Sequence, residues 1–318
     1  MHIPDGFLDA KTVAVTAALA ATGVGLALRA VRRELPPRRR PLLGLAAAFI
    51  FAAQMVNFPV LGGTSGHLIG GTLVAALLGP GAGVVVMTTV LIVQCFLFGD
   101  GGVSTLGANI FNMGIVSVGC GYALYRLLAR MFPGLRGQVA ALAFGAWAST
   151  VLAAISCAGQ LAWSGRVPWA TGFTAMVSVH LLIGIGEGFI TALVFLAVHR
   201  TRPEIITDTG RPLRGGELIR YGLLAALGVA VFVAPFACPW PDGLEAVAAR
   251  LGFEHQATAS LIPAPLADYH IPGRHWGPGA TALAGVIGSL VVFGLALALG
   301  RWLVPQPETK PGAGPGNS

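Results

Sequence analysis

Charged side chains are scarce in this chain of 318 residues. Asp, Glu, Lys and Arg make up only 10% of it, whereas hydrophobic residues make up 55%. A soluble globular protein carries about a quarter charged residues, so the composition excludes that class. The long apolar runs indicate instead an all-α polytopic membrane protein.

Several motifs are also missing. The four cysteines show no CxxC or other paired spacing, since they fall singly in apolar runs, and we interpret them as small packing residues. They are Cys95, Cys120, Cys157 and Cys238. The absence of a Gly-x-x-x-x-Gly-Lys-[Ser/Thr] loop excludes ATP binding by the standard phosphate cradle. The N-terminus lacks a basic segment and a small-residue cleavage site, so it does not resemble a cleaved signal peptide.

The apolar runs predict about nine transmembrane helices. Their approximate bounds are 11–31, 42–58, 67–79, 81–98, 103–131, 137–164, 170–199, 219–238 and 279–304. With the N-terminus outside, 16 of the 20 Lys and Arg residues fall in cytoplasmic segments, and this positive-inside bias favours that orientation. Membrane topology therefore accounts for the net charge of +7, and we expect no nucleic-acid partner.

The first two residues form a potential chelator. The α-amine of Met1, the amide nitrogen of His2 after deprotonation and the imidazole of His2 can close two fused rings around one ion. Three nitrogens in one plane suit nickel, copper or planar cobalt. We expect Met1 to be retained, since methionine is normally removed only ahead of small residues and His2 is not small.

A second histidine follows a segment that Gly and Pro interrupt. Residues 57–67 read NFPVLGGTSGH, and such irregular backbone must be buried in protein or line a polar cavity at membrane depth. The predicted helix 67–79 is short, which favours a start at depth with a re-entrant loop above it. His67 is then the fourth nitrogen ligand, although it could instead cap or hydrogen-bond its own loop.

Polar residues within the predicted spans are costly and usually face a cavity or a partner. Our candidates for residues that orient the ligands are Asn57, Ser65, Asn109, His180 and Glu187. Gln54, Gln94 and Asn112 share the same kind of position. These side chains either orient the ligands or form an interhelical network with no ligand role.

Four motifs together give a specific resemblance: MHIPDGFL (1–8), NFPV (57–60), GGTSGHLIGG (62–71) and GANIFNMG (107–114). Over about residues 1–200 the chain resembles the CbiM/NikM family. These proteins are the substrate-binding components of energy-coupling factor transporters that import cobalt or nickel. The resemblance implies a seven-helix core in which Met1, His2 and His67 hold the metal.

The C-terminal part resembles the PDGLE domain of nickel and cobalt systems, whose role is thought to be metal capture or loading. We expect a basic linker at 201–218, a two-helix accessory domain at 219–304 with an outer loop at 239–278, and a disordered tail at 305–318. His255, His270 and His275 of the outer loop, with Glu254 and Asp268, either hold a passing cation weakly or are ordinary polar residues of a solvated loop.

The resemblance implies high-affinity uptake of Ni²⁺ or Co²⁺ across a bacterial or archaeal plasma membrane. The chain would be no enzyme and would carry no permanently bound cofactor; a transmembrane coupling protein and a cytoplasmic ATPase pair would supply the energy. Gly44, Ala48 and Ala52 form a row of small residues that either docks the coupling protein or packs inside the chain.

Two other classes of protein fit the sequence less well. Self-sufficient nickel/cobalt permeases share a His-x4-Asp-His signature, but here Thr72 stands five residues after His67. An intramembrane metalloenzyme would need His-Glu-x-x-His or a catalytic acid beside a ligand pair, and neither occurs. The sequence leaves nickel and cobalt open, with square-planar stability and the PDGLE-like fusion favouring nickel.

Overall fold

The computed structural model describes residues 1–206, 215–270 and 277–304, most of which are helical. The helices are α1 (Ala10–Glu34), α2 (Arg40–Gln54), α3 (Gly71–Leu78), α4 (Pro80–Val93), α5 (Leu106–Asn109), α6 (Ser117–Met131), α7 (Leu135–Trp163), α8 (Trp169–Thr201), α9 (Pro203–Ile206), α10 (Gly215–Phe232), α11 (Gly243–Leu251) and α12 (Pro278–Leu303). Part of the predicted linker and the predicted tail lie outside the described residues.

Six of the described helices are long and apolar enough to cross a membrane. They are α1, α4 with its extension to Phe98, α7, α8, α10 with its extension to Phe236, and α12. The other three predicted spans correspond to the shorter α2, α3 and α5–α6. With eight residues, α3 rises only about 12 Å, so the count of nine crossings stays a prediction.

Two helices widen into π-helical turns next to the N-terminal loop. One turn, Gln94–Phe98, continues α4, and the other, Ile110–Val116, joins α5 to α6. The helix predicted for 103–131 therefore begins at Leu106 and changes its winding after Asn109. Such turns occur often at functional sites because they redirect side chains.

The predicted second and third spans are wrong at the ends that face each other. Helix α2 ends at Gln54, and a short antiparallel hairpin follows, with β1 (Phe58–Val60) paired to β2 (Thr64–Gly66). Helix α3 begins at Gly71 rather than at His67. Gly70 has a φ of +79°, a left-handed conformation that favours glycine and ends the extended segment before the helix.

The two C-terminal helices pack against the N-terminal core. Both α10 and α12 contact α2, and the small-residue row on α2 lies buried in this packing. A Cβ added at Gly44 would come within 2.9 Å of the backbone of Phe293 in α12. The row therefore packs inside the chain and is not a docking face.

Candidate metal centre

The first residues fold back into the helix bundle and are fixed there by their backbone. Ile3 is fully buried. Its N–H donates to Asn109 Oδ1 (2.8 Å), and its carbonyl accepts from Asn109 Nδ2 (3.1 Å) and Thr105 Oγ1 (2.6 Å). One asparagine at the end of α5 thus binds both the N–H and the carbonyl of the residue that follows Met1 and His2.

The rest of the N-terminal loop is held by charged side chains. The Asp5 carboxylate accepts from the N–H groups of Val103 (3.1 Å) and Ser104 (2.8 Å). Arg166 donates to the carbonyls of Gly6 and Phe7, each at 3.0 Å. These contacts fix the path of the chain from its first residue to α1.

The terminal amine lies beside His67. Its nitrogen is 3.0 Å from His67 Nε2, and the rings of His2 and His67 stack with centroids 5.3 Å apart. His67 Nδ1 faces the Leu68 carbonyl at 3.1 Å, so Nδ1 carries the proton and the Nε2 lone pair faces the amine. With metal–nitrogen bonds of about 2 Å, neighbouring nitrogens of a planar complex stand about 3 Å apart, which matches this spacing.

His2 has acceptor oxygens at both ring nitrogens. Its Nδ1 lies 3.0 Å from Asp100 Oδ1 and its Nε2 lies 3.3 Å from Gln94 Oε1. Gln94 Nε2 in turn donates to Gln54 Oε1 (2.8 Å), and Gln54 Nε2 donates to the Ile69 carbonyl (2.9 Å). This chain of amides links His2 to the loop that carries His67. The six-membered chelate ring needs Nδ1, so the imidazole must leave Asp100 when it binds a metal.

Sequence reasoning missed a carboxylate in this centre. Asp242, the aspartate of the PDGLE motif, places Oδ2 2.6 Å from the Met1 nitrogen. Among the described residues, His2, His67 and Asp242 form a group whose ligand atoms lie within 4.8 Å of one another. The available signal was an acidic helix N-cap, with Glu245 completing a capping box, in a segment that the predicted topology puts on the same side as Met1.

The charges at the centre alter its titratable groups. Burial and the nearby terminal ammonium lower the pKa of His67 to about 3, so the ring is neutral. Burial alone would raise the pKa values of Asp100 and Asp242. At Asp100 the charge of His2 and the hydrogen bonds from His2 and Tyr269 together outweigh burial, so its pKa falls below its ordinary range. At Asp242 the terminal ammonium and the hydrogen bonds that the carboxylate accepts together outweigh burial, and its pKa falls likewise.

Three of the five predicted orienting residues adjoin the ligands or the loop of His67. Asn109 clamps Ile3, as described above. Glu187 of α8 accepts from the N–H groups of Ile69 (2.6 Å) and Gly70 (2.9 Å). His180, two turns earlier on α8, lines a narrow cleft with Met1 and His67. Its Nδ1 lies 2.7 Å from the Met176 carbonyl.

The other two predicted orienting residues contact the C-terminal outer loop. Ser65 donates from its hydroxyl to the Trp240 carbonyl at 2.8 Å. The carbonyl of Asn57 accepts from the Cys238 N–H, also at 2.8 Å, and Asn57 lines a cavity of about 500 Å³ with His2 and His67. These residues join the hairpin to the segment that precedes the PDGLE motif.

The outer-loop histidines lie apart from the ligand group. His255 and His270 are exposed, and His270 Nδ1 lies 2.6 Å from the carbonyl of Asp268 in its own turn. His275 lies outside the described residues. A further cavity, of about 710 Å³, lies between α2, α3, α8 and α10; leucines, valines and isoleucines dominate its lining, which does not suit a metal ion.

Comparison with known proteins gives two family matches. Residues 2–205 match the model of the cobalt uptake substrate-specific transmembrane region, and residues 216–304 match the PDGLE domain. Together the two matches cover the helical core with His2 and His67 and the segment that contains Asp242.

Full-length relatives share this organisation. A protein of Archaeoglobus fulgidus described as a fused nickel transport protein is 36% identical over 307 residues, which are 95% of this chain and 99% of the relative. The fused nickel transport protein NikMN of Rhodobacter capsulatus is 30% identical over 342 residues, covering 94% and 97%. A crystal structure of a truncated transition metal transporter superposes with a TM-score of 0.57 at 34% identity, over 63% of this chain and 99% of that one.

Proposed function

Because this chain belongs to the family of cobalt-uptake substrate-specific transmembrane proteins, joined to a PDGLE domain, we propose that it captures Ni²⁺ or Co²⁺ for an ATP-driven energy-coupling factor transporter. It is a multi-pass cell-membrane protein of a nickel and cobalt transport family. A transmembrane coupling protein and a pair of cytoplasmic ATPases drive it in this proposal.

One observation carries the proposal: the terminal nitrogen of Met1 stands 3.0 Å from His67 Nε2, beside the stacked ring of His2. In the proposed complex the metal is held by the Met1 amine, the His2 amide, His2 Nδ1 and His67 Nε2. The buried Ile3 backbone limits how far the first two residues can move. The conformational entropy of these residues is therefore lost on folding rather than on metal binding.

The proposed topology has nine crossings and an outer N-terminus. Arginines gather at the start of α2. The other end of this helix, at Gln54, leads into the loop that carries His67. Arg39 donates to the Ile205 carbonyl (3.1 Å) and Arg40 to the Val304 carbonyl (3.0 Å). An arginine-rich inner end agrees with the positive-inside rule.

The proposed domain division is a metal-binding core at 1–200, a basic linker at 201–218, the accessory domain at 219–304 and a tail at 305–318. In this division the outer loop of the accessory domain supplies one side chain, that of Asp242, to the metal centre of the core. The metal itself is cargo, and no permanent cofactor is proposed.

Transport in vesicles tests this function. Radioactive nickel uptake is measured for the chain reconstituted with its coupling protein and ATPases, with and without internal ATP on the ATPase side, and for the chain alone under an ion gradient. We expect uptake only with the partners and ATP. Equal uptake by the chain alone would instead establish a self-sufficient permease. Competition by unlabelled cobalt then ranks the two metals.

A further inference from the structure

Asp242 performs two tasks with its two oxygens. Oδ1 caps α11 by accepting from the N–H groups of Leu244 (2.7 Å) and Glu245 (2.9 Å), while Oδ2 accepts from the terminal amine of Met1 (2.6 Å). The pair is well shielded, since the side chains of Met1 and Asp242 are 3% and 15% exposed. A charge-assisted contact in such a place is stronger than one on the surface.

The position of Asp242 is set by packing on both sides. The Ser65 N–H donates to the carbonyl of Pro241 at 2.8 Å, which ties the preceding residue to the hairpin. Gly243 lies so close to His180 that an added Cβ would come within 2.7 Å of the ring. These contacts therefore fix the position from which the Asp242 carboxylate reaches Met1.

We propose that Asp242 is a built-in competitor of the metal, which holds the Met1 amine until an ion displaces it. This inference rests on the proposed function. The amine nitrogen has one lone pair, so it cannot be both an ammonium paired with Asp242 and a metal ligand. The ion pair exists only before the metal binds, and it therefore lowers metal affinity by its own free energy.

The competition has a reciprocal consequence. Because Asp242 also caps α11, an ion that takes the amine removes one of the contacts that hold the outer loop on the core. Contact of the outer loop with the core weakens metal binding by a certain factor. By linkage, metal binding weakens that contact by the same factor. The PDGLE segment thereby responds to whether the centre is filled.

Substitution of Asp242 tests the proposal in the purified full-length chain. Asp242→Asn keeps the Oδ1 cap and the side-chain shape but removes the charge. Asp242→Ser is a second variant, because serine also caps helices well. Asp268→Asn is the control, since it removes the same charge from an exposed position in the same loop. Nickel association rates and dissociation constants are measured for all four proteins.

We expect both Asp242 variants to bind nickel about tenfold more tightly, mainly through faster association, as loss of a hydrogen bond to a charged group implies. Asp268→Asn should match the wild type. If the wild type binds nickel and the Asp242 variants bind it equally or more weakly, the carboxylate does not compete, and weaker binding would mark it as a ligand. A wild type that fails to bind nickel would instead overturn the proposed function.

Discussion

The N-terminal loop (residues 1–9) contains the Met1 nitrogen, and the C-terminal outer loop (described over residues 239–270) contacts that nitrogen through Asp242. The two loops are held in different ways. The first is buried through Met1, Ile3 and Phe7 and is bonded to side chains of two helices or their ends. The second has exposed stretches, with Leu261 72% exposed. The difference indicates that the N-terminal loop is fixed on the core, whereas the outer loop forms a partly exposed cover over it.

Removal of His67 is the most severe test of this contrast. His67→Ala should weaken nickel binding by on the order of 100-fold or more, because loss of a ligand exceeds the effect of losing a residue that only orients one. The measurement is an equilibrium nickel titration. His255→Ala, which removes an exposed imidazole of the outer loop, should leave the affinity unchanged. Equal losses of nickel affinity in both variants would show that the outer loop contributes as much to binding as the core does.

Sequence patterns predicted the helices far better than the contacts between them. Met1, His2 and His67 stay predicted ligands, which the sequence indicates because each carries a chelating nitrogen in an unusual position; the structure brings the three together. The start of α3 was misplaced because the N–H groups of Ile69 and Gly70 bind Glu187, which lies more than a hundred residues away in the chain. The role of Asp242 was missed for the same reason, since only folding brings it to Met1.

Asn109 tests whether the N-terminal loop is a fixed scaffold. Asn109→Ala removes both contacts to the Ile3 peptide, so nickel affinity should fall by about 10- to 100-fold, as for other residues that orient ligands. Asn112→Ala is the matched control, because it deletes a buried amide that bonds Gln160 and Ser156 instead. Titration should show near wild-type affinity for the control. A normal affinity in Asn109→Ala would mean that the loop needs no such clamp.

Glu187 tests the support of the His67 loop. Glu187→Gln replaces one carboxylate oxygen by an amide NH₂ group, which then faces one of the two buried backbone N–H groups. We expect this loss to lower the free energy of unfolding by about 1–3 kcal/mol. We also expect it to weaken nickel binding about tenfold. Thermal unfolding and titration measure the two effects. Glu204→Gln makes the same change in a more exposed ion pair with Arg202 and should have little effect. Similar behaviour of both variants would contradict the assigned support.

Tyr269 gives the smallest expected effect and tests the cover. Its hydroxyl donates to Asp100 Oδ2 at 2.8 Å, and its ring stacks on Phe98. Tyr269→Phe keeps the ring and should change nickel affinity by about two- to fivefold. Tyr221→Phe, at an exposed position of α10, serves as control. A loss as large as that of Asn109→Ala would show that the outer loop is part of the scaffold.

The proposed metal complex depends on the Met1 amine and the His2 nitrogens. Its most direct test is the visible spectrum during nickel titration of the purified protein and of a variant with one extra residue ahead of Met1. We expect a yellow one-to-one complex in the native protein alone, because the extension moves the amine out of the chelate. The same spectrum in both proteins, or none in either, would contradict it.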